Sequence, residues 1–360
     1  MKQIAYLILI FSVLFQVICY SDEGTFSICN ISSYDIQCDA NSHKIMLACC
    51  GNAQSLYLNV VNPNTLTVDK TYQLGSFIKD THVMSSGESI IIALGELDGN
   101  SSTEEGKLIE IDYSTGSILR TLFLDRSPKV MKIDPSETYA FVSVGLMDPY
   151  NPMDLLKVSL QSFQIVDEIV FGDLTNDMEI TPDGSKIYIQ SRNIYPDSTP
   201  SRARWGVAVF DTCDLSRVAS IELESSAMLM EMSGDGSRLY ISSGIYRSGN
   251  AGADLYVVDT QTDQIIESLM FQCDNVNVGT YSLAIDNANC VLYCTANKEV
   301  DEHYPKSNML MQLDLTNYSY SFFTMGNNPL GRIALVPMQN GARLFAQENR
   351  GSTVHYKDLP

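Results

Sequence analysis

Met178-Glu179-Ile180-Thr181-Pro182-Asp183-Gly184-Ser185-Lys186-Ile187-Tyr188-Ile189 and Met230-Glu231-Met232-Ser233-Gly234-Asp235-Gly236-Ser237-Arg238-Leu239-Tyr240-Ile241 match almost position for position. Each is an apolar run that meets a tight polar turn and leaves as a second apolar run, which is the pattern of a β-hairpin. Weaker copies turn at Asn41-Ser42, Ser86-Gly87, Pro135-Ser136, Asp286-Asn287 and Asn340-Gly341, so the hairpin occurs seven times in the chain of 360 residues. The spacing is about fifty residues, and self-similarity at such a period marks a repeat architecture, because one unit cannot bury its own apolar faces and must stack on its neighbours.

A second signature follows each hairpin. Ile111-Asp112-Tyr113-Ser114-Thr115-Gly116, Val209-Phe210-Asp211-Thr212-Cys213, Val257-Val258-Asp259-Thr260-Gln261-Thr262 and Gln312-Leu313-Asp314-Leu315-Thr316-Asn317 are four versions, with degenerate ones at Val60-Val61-Asn62 and Lys157-Val158-Ser159. Short Asp, Asn and Thr side chains at these places can bond the backbone of a turn, and a further strand follows, as in Arg217-Val218-Ala219-Ser220-Ile221. Each period therefore holds four strands. With no long helical periodicity between them, the expected fold is all-β: a seven-bladed β-propeller of four-stranded antiparallel blades. A solenoid would need shorter periods, and two tandem sandwiches would not repeat one turn so often. The last repeat is one strand short. The segment Thr25-Phe26-Ser27-Ile28-Cys29 could supply it, closing the ring by pairing N-terminal with C-terminal sequence.

The repeats resemble those of the YVTN or YncE-like β-propellers within the wider WD40-like group. The resemblance rests on Pro182-Asp183-Gly184 with Tyr188, Gly234-Asp235-Gly236 with Tyr240, and Val257-Val258-Asp259 with Thr262, and it spans essentially the whole chain after the leader. It implies a propeller fold and a surface or periplasmic setting, and says little about activity.

Residues 1–21 read as a signal peptide: Met1-Lys2-Gln3, an apolar run from Ile4 to Ile18, then Cys19-Tyr20-Ser21 ahead of Asp22-Glu23. The run is short for a membrane span, so cleavage near Cys19 to Ser21 is preferred to an uncleaved anchor, and a lipid-attached Cys19 is a minor alternative. Residues 22–360 then form a single propeller domain that is secreted, periplasmic or on the cell surface, with no membrane span after leader cleavage. Eight cysteines remain: Cys29, Cys38, Cys49, Cys50, Cys213, Cys273, Cys290 and Cys294. Some disulfide pairing is expected, above all among the four in the first blade, while Cys290 and Cys294 are expected to pack on one strand. Asn30, Asn100 and Asn317 begin acceptor sequons for N-linked glycan.

Asp and Glu outnumber Lys and Arg, 43 against 23, for a formal charge of −20. Nucleic acid is therefore excluded as a partner, since a phosphate backbone would be repelled and no basic face is present. An acidic surface on an exported chain first means solubility. Calcium is the sharper alternative, with oxygen ligands grouped at Asp148, Asn151 and Asp154 and at Asp98, Glu104 and Glu105, but neither group has the spacing of a known calcium loop. No cofactor is expected.

The loops between second and third strands, from Glu96 to Gly106, Met147 to Met153, Asn193 to Arg204, Tyr246 to Ala253 and Lys298 to Asn308, are long and open on one face. Long loops on a rigid frame are where binding residues gather. Tyr150, Tyr195, Trp205, Tyr246 and Tyr304 fall in or beside them and are candidate contacts for a protein or a glycan, with loop packing as the plainer role. At the channel mouth, the innermost strands begin with Asp35, Asp80, Lys129, Asp177, Tyr281 and Arg332, and Gln37, Lys132, Glu179 and Glu231 lie just inside. Charged residues in otherwise apolar strands need partners or water. Compensating pairs such as Lys132 with Glu179 are the structural reading, and a small molecule in the channel the functional one.

Only four histidines exist, of which His82 alone falls on an innermost strand, and no serine-hydrolase elbow, zinc-protease motif, phosphate loop or haem attachment motif occurs. The sequence thus reads as an exported, non-catalytic binding module that uses its long-loop face. The alternative is a lactonase-like small-molecule hydrolase with acids and lysines at the channel mouth.

Overall fold

The computed structural model describes residues 23–27, 32–38, 44–50, 56–95, 106–145, 153–172, 175–191, 205–243, 253–274, 276–297, 307–348 and 353–360. Every regular element among them is a β-strand, and the strands form seven antiparallel sheets arranged as the blades of a propeller. From the innermost strand outward, blade 1 is Ser32–Cys38, Ile45–Cys50, Leu56–Asn62 and Thr67–Gln73, and blade 2 is Phe77–Val83, Ser89–Gly95, Gly106–Asp112 and Ile118–Leu124. Blade 3 is Pro128–Ile133, Tyr139–Val144, Met153–Ser159 and Gln164–Phe171; blade 4 is Met178–Ile180, Lys186–Ser191, Gly206–Asp211 and Arg217–Glu222. Blade 5 is Ala227–Met232, Arg238–Ser243, Leu255–Asp259 and Gln264–Leu269; blade 6 is Val276–Asp286, Val291–Asn297, Met309–Asp314 and Tyr320–Thr324. Blade 7 is Leu330–Met338, Gly341–Glu348 and Thr353–Leu359, and Glu23–Ser27 is its outermost strand, paired so that Phe26 faces Val354. The ring is therefore closed by the N-terminal strand.

The physical reason for the ring lies between the blades. Tyr188, Val207 and Val209 of blade 4 share one core with Met230, Leu239 and Ile241 of blade 5. Ile36, Ile45 and Leu47 of blade 1 share another with Ala334, Val336 and Phe345 of blade 7, which joins the last blade to the first. Full burial of each such side chain is worth about 1.5–3 kcal/mol, and a lone blade would forfeit it on both faces. A polar link crosses the same seam: Arg343 is buried, pairs with Asp358, and donates from Nη1 to the Pro63 carbonyl of blade 1 at 2.6 Å.

The turn signature performs the role its chemistry suggests. Asp112 Oδ1 accepts from the Ser114 and Thr115 amides at 2.9 and 2.7 Å, Asp259 Oδ1 from Gln261 and Thr262 at 3.1 and 3.0 Å, and Asp314 Oδ1 from Thr316 at 2.8 Å. The fifth residue of each such turn takes a left-handed backbone, with φ of 54 to 58° at Leu66, Phe163, Leu215, Asp263 and Tyr318. Non-glycine residues resist that conformation. Here burial offsets the strain, since Phe163 and Leu215 are plugs in inter-blade cores, while Asp263 accepts from the Tyr188 hydroxyl at 2.5 Å.

The described residues add three details to this pattern. Blade 6 carries a fifth short strand, Phe271–Cys273, hairpinned onto the start of its long inner strand. No disulfide links Cys38, Cys49, Cys213, Cys273, Cys290 and Cys294 to one another; Cys29 and the Cys50 side chain lie outside the described residues. Cys38 faces Ile45 and Cys49 faces Ser33, at opposite ends of one hairpin and so about 13 Å apart, beyond bridging distance. Finally, only Cys294 packs in the blade 6 core, because Cys290 lies in the preceding turn, exposed, with φ of 54°.

Candidate functional site

The innermost strands surround an axial cavity of about 610 Å³. Strand register sorts its wall into levels. Gln37, His82, Lys132, Glu179 and Glu231 stand opposite Met46, Ile91, Phe141, Tyr188 and Tyr240 in blades 1 to 5, and Ala284 and Ala334 hold the same level opposite Tyr293 and Phe345 in blades 6 and 7. The channel is thus two-sided: charged and polar across blades 1 to 5, apolar where blades 6 and 7 present small side chains. Gln37, Lys132, Glu179 and Glu231 are the residues expected just inside the mouth, and His82 joins them.

One step toward the long-loop face, the inner strands are bulged. The register slips between Ile78 and Asp80, Pro128 and Val130, Ala227 and Met230, Thr280 and Leu283, and Leu330 and Ile333. A bulge re-aims the extra residue. Lys79, Lys129 and Arg332 occupy these positions and line the cavity, so three basic side chains rise from blades 2, 3 and 7 at its mouth. Lys79 escaped the sequence reading because periodicity carries no mark of a bulge, and Asn176, which also lines the cavity, because it precedes the blade 4 strand. Tyr281, also on a bulge, does not line the cavity; its carbonyl accepts from Ser242 Oγ at 2.9 Å and ties blade 6 to blade 5. Asp35 lies on the blade 1 inner strand opposite Ala48, and its side chain is outside the described residues.

The carboxylates divide by what they hold. Asp80 accepts from Gln37 Nε2, the Thr81 amide and the Met131 amide at 3.0, 2.9 and 3.0 Å, so it bridges blades 1, 2 and 3. Asp177 accepts from the Met178 and Met230 amides at 2.9 and 2.7 Å and bridges blades 4 and 5. Both are structural clamps. Lys132 Nζ donates to Glu179 Oε1 at 2.9 Å, the compensating pair foreseen from sequence. Glu231 differs: among the described residues it makes no hydrogen bond or ion pair, and it faces the cavity.

Burial dominates the titration of this group. It pushes Glu231 up to about 8, with the nearby Glu179 charge acting in the same direction and Lys132 opposing. It likewise pushes Glu179 up to about 7 against the pull of Lys132, and it raises Asp80 despite three hydrogen bonds and Lys132. Desolvation works against the Lys132 charge, but Glu179, Asp177 and Asp80 outweigh it and its pKa is raised. At Lys132, therefore, the field of the neighbouring acids prevails over desolvation.

On the long-loop face, Tyr150, Tyr195, Tyr246 and Tyr304 lie outside the described residues. Trp205 is half-buried at the head of the third strand of blade 4, and its carbonyl accepts from the Leu223 amide at 2.9 Å. Of the oxygen ligands considered for calcium, Asp154 is paired with Arg126, and the other five lie outside the described residues. Among the described residues no three His, Cys, Asp or Glu side chains group so as to hold a metal ion. No helix among them is long and apolar enough to cross a membrane, and the leader segment lies outside them. Asn317 is exposed, but its side chain donates to Asp314 and accepts from the Ser319 amide, while Asn30 and Asn100 lie outside the described residues.

No protein-family model matches the chain, and no curated protein sequence does. Among solved structures it is similar to the Cps50 (Swd1) β-propeller domain of Myceliophteria thermophila, at TM-score 0.66 and 12% identity over 94% of this chain and 100% of that one. It is also similar to Kuenenia stuttgartiensis hydrazine synthase, at TM-score 0.69 and 14% identity over 93% of this chain and 97% of that one. At these identities the likeness concerns the fold alone.

Proposed function

We propose that this chain is an exported β-propeller of the YVTN or YncE-like kind that works as a non-catalytic interaction module, receiving a protein or glycan partner on its long-loop face. The observation that carries the reading is where chain length has been added. Residues 96–105, 145–152, 192–205, 244–254 and 298–308 join second to third strands, whereas Val83 to Ser89, Ile180 to Lys186 and Met232 to Arg238 are joined by tight turns on the opposite face. Length on one face alone is the mark of a scaffold that presents loops. The clamping of Asp80 and Asp177 and the pairing of Lys132 with Glu179 also support it, since most of the axial charge is consumed in holding blades together.

The test is to replace 193–204 and 298–306 with Asn-Gly turns and to screen mature protein and variant against arrayed glycans and secreted or cell-surface proteins. The reading expects a partner whose affinity falls at least tenfold in a variant with unchanged melting. Equal binding by both proteins would overturn it.

A lactonase-like hydrolase is the second reading, favoured by Glu231, a carboxylate without a protein partner among the described residues, in a cavity large enough for a small molecule. It requires turnover of small esters or lactones that is lost in Glu231→Gln.

A further inference from the structure

The axial cavity carries charge in a graded way that neither the blade clamps nor the loop face explains. Its long-loop end is rimmed by Lys79, Lys129 and Arg332 from the bulges, and its interior holds Glu179 and Glu231 at a level two to three residues farther along the strands. Two to three residues of strand are about 7–10 Å. Positive and negative ends are therefore separated by roughly the length of a small molecule, in a space of about 610 Å³. Glu179 has Lys132; Glu231 has no protein partner among the described residues, and a buried carboxylate without one is costly to ionise. Next to it round the ring, Ala284, Ala334 and Leu335 of blades 6 and 7 offer an apolar wall with no competing hydrogen-bond group on their side chains.

We propose that this cavity binds a small zwitterion of the amino-acid type. Its ammonium group sits on Glu231, its carboxylate points to the Lys129 and Arg332 rim, and its apolar body lies against blades 6 and 7. A plain cation would satisfy Glu231 but must pass the basic rim, and a plain anion would satisfy the rim but leave Glu231 unpaired; a zwitterion meets both. Lys129 and Arg332 also interact within the protein, so the carboxylate arm is the weaker of the two. The groups facing the ammonium position are Asp80, His82, Lys132, Asp177 and Glu179, and Lys132 is the one fixed cation among them, held at Glu179. Binding at about pH 7.5 consequently releases a proton from Glu231, because an ammonium beside it favours the carboxylate.

Calorimetry on the mature chain tests this with L-leucine, leucinamide, which lacks the carboxylate, and N-acetyl-leucine, which lacks the ammonium. Leucine is expected to bind at least tenfold tighter than either, with an observed heat that differs between phosphate and Tris buffers by the ionisation of one group. Glu231→Gln is expected to weaken leucine at least tenfold and to abolish the buffer dependence; removing a buried charge spares the fold, which melting checks. Equal affinity for all three compounds, or no heat from leucine at millimolar concentration, overturns the proposal, as does unchanged leucine binding in Glu231→Gln. The loop-shortened variant separates this site from the loop face, because it keeps leucine binding whatever becomes of the macromolecular partner.

Discussion

The Met230 amide of blade 5 donates to Asp177 Oδ2 at the head of blade 4, at 2.7 Å. The other oxygen of the same carboxylate receives the Met178 amide, so one side chain holds two backbone donors on either side of a seam. Asp80 repeats the device two seams earlier, with Thr81 and Met131 as donors. Leaving a buried amide unsatisfied costs about 1–3 kcal/mol. Asp177→Ala is therefore expected to lower unfolding free energy by about that amount, and Asp177→Asn by less, since its carbonyl keeps one acceptor. Urea titration of both variants checks the order; an alanine variant as stable as the unmodified protein would show that the seam does not depend on the clamp.

Stability should peak in mildly acidic solution. Burial raises Glu231 and Glu179 to about 8 and 7, so between their unfolded values near 4.5 and those pH values the folded chain holds protons that the unfolded chain releases. A penalty on the folded state is thus absent below about pH 4.5 and grows as pH rises through the folded values. The turn aspartates act the other way. Hydroxyl and amide donors from Ser114 and Thr115 lower Asp112 to about 2, and donors from Ser237 and Ser233 lower Asp235 similarly, so their contribution is lost as pH falls from about 4 toward 2. Melting temperature followed across this range should fall on both sides of about pH 5, and Glu231→Gln should flatten the neutral limb while leaving the acid limb in place. A neutral limb unchanged by that substitution would locate the titration elsewhere.

The two best repeats carry glycine at the same turn position, with φ of 74° at Gly184 and 71° at Gly236. Alanine at either site pays for a left-handed backbone, about 1 kcal/mol. Only Gly236 adds a clash, because a Cβ there would stand 2.5 Å from Pro182 Cδ of the neighbouring blade, against 3.4 Å from Pro135 Cδ at Gly184. Gly236→Ala is therefore expected to be the more damaging by at least about 1 kcal/mol in parallel thermal unfolding, and equal losses would mean that the blades separate to accommodate the methyl group.

Much of this was legible before any coordinates. Gln37, Lys132, Glu179 and Glu231 share a level because the repeat fixes strand phase, and side chains alternate with a period of two, so a charged residue in an apolar inner strand must face the axis. Asp112, Asp259 and Asp314 announced their turns through local side-chain chemistry. Bulges were not legible, since a slip of one residue leaves no trace in composition, and so Lys79 was missed and Tyr281 misplaced. Asp80 and Asp177 were found as channel residues but not as clamps, because their donors lie about fifty residues away across a seam, and only the closed ring brings them together.

The N-terminal strand gives the sharpest test of that ring. Phe26 meets Phe345 edge-on at 6.2 Å, so the closing strand inserts an aromatic side chain beside the core shared by blades 7 and 1. Glu23, in contrast, pairs with Lys357 at 3.2 Å near the surface, where an ion pair contributes at most about 1 kcal/mol. If closure holds the propeller by apolar packing, Phe26→Ala should cost about 1–3 kcal/mol while Glu23→Gln changes little. Deleting 23–27 should cost more than Phe26→Ala, because Thr353–Leu359 would also lose its backbone pairing from Ser27 to Glu23. The quantity to measure is the unfolding rate in denaturant for the three variants, since a broken ring opens at its weakest seam. A deletion variant that unfolds no faster than the unmodified protein would mean that the contacts of Ile36, Ile45 and Leu47 with Ala334, Val336 and Phe345 close the ring unaided.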